Sequence, residues 1–242
     1  MKPLIIDAAA FERSDYCLDA SGLRLGAEQE LVLASPKPVR GWIRRLAPDG
    51  WREDASPRSH DGVVRASWYL LLAAVIRGLG VEWLTGLDRL ADAENKALQH
   101  LVAAQLGITM PKTVVVSRRE LIPAELGEPI VAKPLGPGSF ASESRMQVIY
   151  ANELSRTDSA LDALGGAPFL LQERLVAELH LRVVTVGDQA WICELNATAL
   201  PLDWRRVDQA HDSFRPSERF APVAAEALRL AASFGVGYSS QD

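Results

Sequence analysis

The sequence lacks the features that mark secreted and membrane-spanning chains. It has only two cysteines, Cys17 and Cys193, too few and too far apart for a disulfide framework or a zinc ribbon. Its longest apolar run, Trp68 to Ile76, has roughly half the length of a membrane-spanning helix, and no signal peptide is recognisable. We therefore expect a protein of the reducing cytoplasm that does not enter a membrane.

The sequence also lacks a basic excess, internal repeats and low-complexity linkers. Its net charge of −5 argues against a broad nucleic-acid-binding surface, and no nucleic-acid partner is expected. With 48% apolar and 24% charged residues, the composition is that of an ordinary folded protein. A chain of 242 residues can form one large or two small domains, and two are favoured because the motifs begin after the first third. The oligomeric state, a homodimer included, is left open.

The first ninety or so residues predict short strands followed by one helix. Branched apolar residues predict strands at Leu4–Ile6, Glu30–Leu33 and Val39–Ile43, separated by turns such as Ser21–Gly22 and Pro48–Gly50. The helix is predicted from an N-cap at Asp61 through Arg77, before Gly78 and Gly80.

A second helix and then a largely β region are predicted in the rest of the chain. The helix runs from about Asp92 to Leu106, with Gly107 at the C′ position. Gly187-Asp188 indicates a tight hairpin, and a final helix at Pro222–Phe234 precedes a short strand. Dense β-forming residues predict strands at Lys112–Val116, Pro129–Lys133, Arg145–Tyr150, Phe169–Glu173, Leu179–Val186 and Gln189–Leu195.

A glycine- and serine-rich segment directly follows a predicted strand that ends in Lys133. Glycines let backbone N–H groups approach phosphate oxygens, hydroxyls add donors, and an ammonium offsets negative charge, so the segment suits phosphate binding. An ordinary hairpin with a lysine at its strand end is the competing interpretation. The segment fits neither the P-loop nor the Rossmann dinucleotide pattern. Its glycines and serines are Gly136, Gly138, Ser139, Ser142 and Ser144.

Four segments, in their order along the chain, resemble the ATP-grasp superfamily. They are DAENK on a helix, LGITMPKTVVV, IVAKPLGPGS and FLLQERLVAELHLRVVTVGD. The resemblance implies that Lys96 and Lys133 contact ATP phosphates together with the glycine-rich loop. It also implies an adenine-reading hinge formed by Gln172, Glu173, Arg174 and Leu175, up to Val176.

Each of these residues also has an ordinary structural interpretation. A lysine on an exposed helix face is usually solvated, Glu173 can simply end a strand, and a histidine such as His180 is usually a half-buried structural residue. Glu178 or His180 stands where the family usually has an acid for the ribose hydroxyls, and the histidine occupies the better-matching place.

Within the superfamily, the segments ELHLRVVTVGDQAWICEL and LDWRR are most similar to enzymes that modify ribosomally made peptides. These are the microviridin-type graspetide maturases, related to the ligases that add glutamate to ribosomal protein. The resemblance implies catalytic roles for Arg182 and Arg206, because planar guanidinium groups grip phosphoryl groups and carboxylates bidentately. Arg205 and Arg206 could instead be surface-loop residues. The sequence departs from this group at Leu195-Asn196-Ala197, where an acidic residue and a serine are frequent.

The last residues of the chain resemble the first metal-ligand strand of the ATP-grasp family. Asp242 stands where the family has its first Mg²⁺ ligand, while the glutamate and asparagine of the next strand are not in the sequence. One aspartate does not make a competent Mg²⁺ site. We expect that a C-terminal continuation is missing, rather than that the molecule is a defective relative.

Together these patterns predict an α/β fold of ATP-grasp architecture, with a small N-terminal domain and two ATP-clamping lobes, the C-terminal one incomplete. The expected divisions are residues 1–90, then 91–175 with the linker helix and glycine-rich loop, then 176–242. The expected activity is ADP-forming ligation with ATP and Mg²⁺. A carboxylate, preferably on a ribosomally made precursor peptide, becomes an acyl phosphate that an amine or hydroxyl attacks. The alternatives are a ligase for a free amino acid or small peptide, and a non-catalytic protein that binds a peptide or nucleotide.

Overall fold

The chain forms two compact units in the computed structural model, residues 1–87 and 88–242. The structure describes residues 5, 7–20, 22–26, 29–31, 39–44, 51, 55–78, 80–136, 138–142 and 145–242. Both units combine helices with small sheets. Within those residues no helix is both long enough and apolar enough to span a bilayer.

The described residues of the first unit form two helices and two small sheets. Strands β1 (Tyr16–Asp19), β2 (Gly22–Leu25) and β3 (Gln29–Leu31) form an antiparallel sheet in that order. Strand β4 (Val39–Gly41) pairs in parallel with β5 (Val81–Trp83). The helices are α1 (Ala8–Glu12) and α2 (His60–Gly78). Their core contains Ala8, Phe11, Leu23, Leu72 and Val75.

Two details of this unit correct the sequence predictions. Asp61 is not the N-cap of α2, because the Ser59 hydroxyl accepts the Gly62 N–H at 3.0 Å and the helix already includes His60. Strands β1 and β2 were not predicted. The strand predicted at Leu4–Ile6 and the turns at Ser21–Gly22 and Pro48–Gly50 fall at least partly outside the described residues.

The second unit begins with two helices where one was predicted. Helix α3 spans Leu87–Glu94 and α4 spans Lys96–Gln105. Asn95 separates them because its side chain accepts the Leu98 N–H at 3.1 Å and thereby caps α4. At the other end, Gly107 has a φ of 68°, as predicted for a C′ glycine.

A four-stranded antiparallel sheet follows, with strand order β10-β7-β11-β6. Its strands are β6 (Thr113–Val115), β7 (Ile130–Pro134), β10 (Asn152–Leu154) and β11 (Phe169–Glu173). Between β7 and β10 in the sequence, β8 (Ser139–Ser142) and β9 (Arg145–Val148) pair as a separate antiparallel hairpin. One face packs into a core of Ile122, Leu126, Ile130, Ala132, Leu161, Leu164 and Leu171. Because side chains alternate along a strand, Thr113, Lys133 and Gln172 share the opposite face.

A second antiparallel sheet has strand order β14-β13-β12-β15. Its strands are β12 (Leu179–Val186), β13 (Gln189–Asn196), β14 (Arg215–Ser217) and β15 (Tyr238–Gln241), and helix α5 spans Ala221–Phe234. Helix α5 packs on one face through Ala227, Val183 and Ile192. Arg182 points to the other face, beside the loop that carries Trp204 and Phe214. The hairpin predicted at Gly187-Asp188 is confirmed, with Gly187 at a φ of 59°.

Candidate functional site

A series of hydrogen bonds holds the Lys133 ammonium on one face of the β10-β7-β11-β6 sheet, the face opposite the apolar core. Lys133 Nζ donates to Gln172 Oε1 at 2.7 Å, and Gln172 Nε2 donates to Thr113 Oγ1 at 2.9 Å. Thr113 Oγ1 in turn donates to the Pro111 carbonyl at 2.8 Å. The register produces this arrangement, because Gln172 lies opposite Thr113 on β6 and diagonal to Lys133 on β7.

Lys96 reaches the same end of β7 from the first position of α4. Its Nζ donates to the Pro134 carbonyl at 2.6 Å and to the Gly136 carbonyl at 3.3 Å. Burial and the nearby Arg205 charge lower the pKa of Lys96. Burial also lowers the pKa of Lys133, with further lowering by Lys96 and Arg205 that Asp203 opposes. The two ammonium groups therefore belong to one partly desolvated cluster of positive charge.

The glycine-rich segment begins directly after the end of β7, where Lys96 and Lys133 lie. Gly136 is exposed, and a Cβ added there would meet nothing within 4 Å. The Gly138 carbonyl accepts the Ile149 N–H at 2.7 Å, and Ser139 is the exposed first residue of β8. Ser142 ends β8, whereas Ser144 lies outside the described residues.

Arg182, on the β14-β13-β12-β15 sheet, is held by an ion pair and by two aromatic rings. Its Nε and Nη2 donate to the two carboxylate oxygens of Asp242 at 2.6 and 2.8 Å. Its guanidinium carbon lies 5.1 Å from the ring centroids of both Trp204 and Phe214, and Nη1 lies 3.4 Å from His211 Nδ1. The hydrogen bonds to Asp242 raise the pKa of Arg182, so the group stays cationic.

Asp203 is a buried carboxylate that links the two sheets of this unit. Its Oδ2 accepts the Ala151 N–H at 3.0 Å, next to β10, while both its oxygens accept from Arg205 at 2.7 and 2.6 Å. Burial acts to raise the pKa of Asp203, but the hydrogen bonds from Arg205 and Ala151 outweigh it and the pKa is lowered. Asp203 is thus an anion that holds Arg205 in place.

The two neighbouring arginines have different surroundings. The Arg205 charge acts to lower the pKa of Lys96, Lys133 and Arg182, so Arg205 lies near cations of both sheets. Arg206 instead donates to Asn152 Oδ1 at 2.6 Å, and its guanidinium carbon lies 4.8 Å from the Tyr150 ring centroid. Arg206 was singled out from the sequence, yet Arg205 is the one that joins the charge cluster.

The segment predicted as a hinge begins within β11, whose last two residues are Gln172 and Glu173, and continues beyond the strand. Glu173 Oε1 accepts the Lys112 N–H at 2.7 Å, and Arg174 forms an ion pair with Glu153. Leu175 is 53% exposed and Val176 is 90% exposed, so the chain here leaves the sheet with apolar side chains uncovered. The sequence-based role of this segment in adenine recognition stays a prediction.

Of the two candidate ribose contacts, Glu178 is exposed and His180 is half-buried. Burial lowers the pKa of His180, Arg174 adds to this, and Asp242 and Asp203 oppose it. His180 therefore lies among the charged residues of the site. It shares one face of β12 with Arg182.

The carboxylates of the site do not form a metal-binding group. Among the residues that the structure describes, no cluster of three or more histidine, cysteine, aspartate and glutamate side chains could hold a metal ion. Asp242, the predicted Mg²⁺ ligand, is instead engaged by Arg182 on both oxygens. The site is dominated by cations, so it suits an anionic ligand better than a bare metal ion.

Sequence reasoning missed three residues of the site: Thr113, Asp203 as the partner of Arg205, and His100. Burial and the Lys133 charge lower the pKa of His100, which places it near that ammonium. Lys96 and His100 are four residues apart on α4 and share a helix face, a spacing visible in the sequence. The contacts of Thr113 and Asp203 depend on register and tertiary packing, for which the sequence carries no comparable signal.

Comparison with known proteins gives a consistent result for the fold. No protein-family model and no curated protein matches the sequence. Among solved structures, the macrocyclase MdnC from Microcystis aeruginosa, bound with precursor peptide MdnA, superposes with a TM-score of 0.76 at 22% identity, covering 97% of this chain and 75% of that one.

Two further neighbours are described as ATP-grasp ligases. A RiPP-associated ATP-grasp ligase from Chryseobacterium gregarium, in complex with ADP and a leader and core peptide, has a TM-score of 0.74 at 18% identity, covering 94% of this chain and 71% of that one. The ligase PsnB, complexed with precursor peptide PsnA2 and AMPPNP, has a TM-score of 0.70 at 18% identity, covering 98% and 72%.

This chain has the ATP-grasp fold. These three neighbours are described as a macrocyclase and two ATP-grasp ligases, each in complex with a peptide, and one of them is RiPP-associated, in line with the sequence resemblance.

Proposed function

We propose that this chain is an ADP-forming, ATP-dependent ligase that activates a carboxylate on a ribosomally made precursor peptide. The observation that carries the proposal is the meeting of Lys96 and Lys133 at one end of β7, where Lys96 bonds the carbonyl of the residue after Lys133. Its fold neighbours, all three in complex with peptides and two of them with ADP or AMPPNP, support the same function.

The donor set suits a nucleoside triphosphate. Lys133 uses one of its three ammonium hydrogens within the described part of the chain, so two are left for ligand oxygens. Lys96 is bound to loop carbonyls that it can exchange for phosphate oxygens. Arg205 adds positive charge between the two sheets. We propose that Lys96, Lys133 and the Gly136–Ser139 loop hold the triphosphate, with adenine at the Gln172–Leu175 segment.

The chemistry follows two balanced steps. A carboxylate oxygen of the peptide attacks the γ-phosphorus of ATP, the bond to the β-γ bridging oxygen breaks, and ADP leaves. An amine or hydroxyl then attacks the carbonyl carbon of the acyl phosphate, loses its proton, and expels inorganic phosphate. Arg182, kept cationic between Trp204 and Phe214, is suited to stabilise the transferring group. Arg206 would act from the Tyr150–Asn152 side.

Mg²⁺ supplies charge neutralisation for phosphoryl transfer in this chemistry. The described residues do not fit a complete Mg²⁺ site, because Asp242 is the one carboxylate at the expected place and is paired with Arg182. We therefore assign no step to a metal.

The proposal is tested by incubating the protein with ATP, Mg²⁺ and synthetic peptides that carry glutamate or aspartate with serine, threonine or lysine. We expect ADP formation that depends on the peptide, and products that each lack the mass of one water per bond. Peptides with glutamine in place of glutamate are the matched control. Turnover with free amino acids alone would favour the small-substrate alternative, and ATP binding without any turnover would favour a binding protein.

A further inference from the structure

Gln172 is a buried polar residue of the site, at 7% exposure, and both ends of its amide are used inside the sheet. Its oxygen accepts from Lys133 and its nitrogen donates to Thr113, so neither end is directed at a ligand. Buried polar groups require such partners, because an unsatisfied amide in an apolar environment is costly.

The donor and the acceptor of each hydrogen bond in this series are fixed. A flipped Gln172 amide would place its NH₂ group against the Lys133 ammonium, donor against donor, and would leave Thr113 without its amide donor. The Thr113 hydroxyl donates to the Pro111 carbonyl, so the series ends on a backbone atom that cannot rotate. The position of the Lys133 ammonium is therefore tied to the backbone at the start of β6.

We propose that Gln172 is a positioning residue that acts through Lys133, orienting its ammonium toward the phosphates, with Thr113 as the anchor of Gln172. This inference rests on the proposed function for its ligand, a nucleoside triphosphate. It replaces a direct contact between the Gln172 side chain and adenine by an indirect action on the phosphate end of the nucleotide.

A double-mutant cycle distinguishes an action of Gln172 through Lys133 from a direct contact between Gln172 and the nucleotide. Gln172→Met keeps the volume and removes the acceptor, and we expect ATP affinity, measured by calorimetry, to fall about tenfold. In a Lys133→Met background, the same change should have no further effect, because its target is gone. An equal loss in both backgrounds would show an independent contact and overturn the proposal.

Thr113→Val provides a variant that leaves Gln172 in place. It removes the anchor with little change of shape, and we expect a smaller loss of ATP affinity, about threefold, that also disappears in the Lys133→Met background. Gln189→Met, the same substitution in the β12–β13 hairpin, is the control and should leave affinity unchanged. Thermal unfolding of each variant verifies that it folds.

A second readout needs no nucleotide. Competitive acetylation followed by mass spectrometry measures the titration of Lys133 itself. Because the Gln172 oxygen accepts from the charged form, its removal should lower the Lys133 pKa further, while Gln189→Met should not. Wild-type protein that binds no ATP would overturn the proposed function and with it the ligand of this inference. Unchanged Lys133 titration in Gln172→Met would sink the positioning role alone.

Discussion

Arg182 on β12 and Asp242, the residue that follows β15, form a two-point ion pair, with Nε–Oδ1 and Nη2–Oδ2 distances of 2.6 and 2.8 Å. Such parallel bonds fix the plane of the guanidinium as well as its position. Arg182 is thereby held at the junction of the aromatic rings and the charge cluster, in a state where its charge is already balanced. An entering phosphoryl group would compete with the Asp242 carboxylate for the same donors.

Arg182→Ala should lower ADP formation at saturating ATP and acidic peptide by about 100-fold, because a donor aimed at developing charge acts mainly on the reaction step. ATP affinity should change less than about threefold, since substrate binding does not depend on that step. Arg219→Ala is the matched control, because Arg219 is also ion-paired on this sheet, to Glu194. A large loss of ATP affinity with full turnover at saturation would contradict the assignment.

Lys96→Met should weaken ATP binding about tenfold, because one ammonium that can contact phosphate is lost. It also removes the bonds from α4 to the Pro134 and Gly136 carbonyls, so hydrogen exchange of the loop amides should become faster. Arg118→Met removes one exposed positive charge elsewhere in the same unit and serves as control. Equal effects of the two changes would show that only net charge matters.

ATP affinity should fall with rising pH at values below the ordinary lysine pKa of about 10.4. Burial, with Lys96 and Arg205, lowers the pKa of Lys133, and phosphates bind its charged form. Affinity is therefore full below the pKa of Lys133 in the free protein and is lost as pH rises through it. In Lys133→Arg the guanidinium stays charged, so calorimetric titrations across this range should show a flatter profile. A profile identical to wild type would exclude Lys133 as its cause.

Asp203→Asn should destabilise the second unit by about 2 kcal/mol at neutral pH, because the Arg205 guanidinium loses a buried ionic partner. The Asp203 pKa lies below its unfolded value of about 3.9, so the carboxylate stabilises fully above about pH 5 and loses this effect as pH falls through the lowered pKa. Thermal unfolding should therefore show a smaller difference between variant and wild type in acid. Asp162→Asn, at an exposed ion pair with Arg119, should have little effect at either pH.

Much of the second unit could be predicted from local sequence. The bounds of β11 and β12 agree with the predictions because both strands are dense in apolar and β-branched residues. Strands β10 and β14 were missed because Asn152–Leu154 and Arg215–Ser217 have weak β propensity and are strands through their neighbours. The break at Asn95 was missed because a single capping residue within a polar run resembles continuous helix.

The site was predictable where residues follow one another and not where they meet in space. Lys133 and its glycine-rich loop are adjacent in sequence, and Lys96 followed from the resemblance in segment order. The distance from Thr113 to Gln172, 59 positions along the chain, is bridged by strand register, and that from Ala151 to Asp203, 52 positions, by packing of a loop. The sequence also could not distinguish Arg205 from Arg206, because two adjacent arginines have the same charge and yet contact different residues, Asp203 and Asn152.

The Asp203 carboxylate makes the two sheets of this unit mechanically interdependent. Movement of residue 151 away from Asp203 would remove an amide donor from a carboxylate that is only 4% exposed, and Arg205 would remain as its partner. A bound phosphate that attracts the Arg205 guanidinium would compete with the Asp203 carboxylate for the same donors. In the proposed ligase, phosphate binding near Arg205 and the contact between the two sheets would therefore involve the same carboxylate.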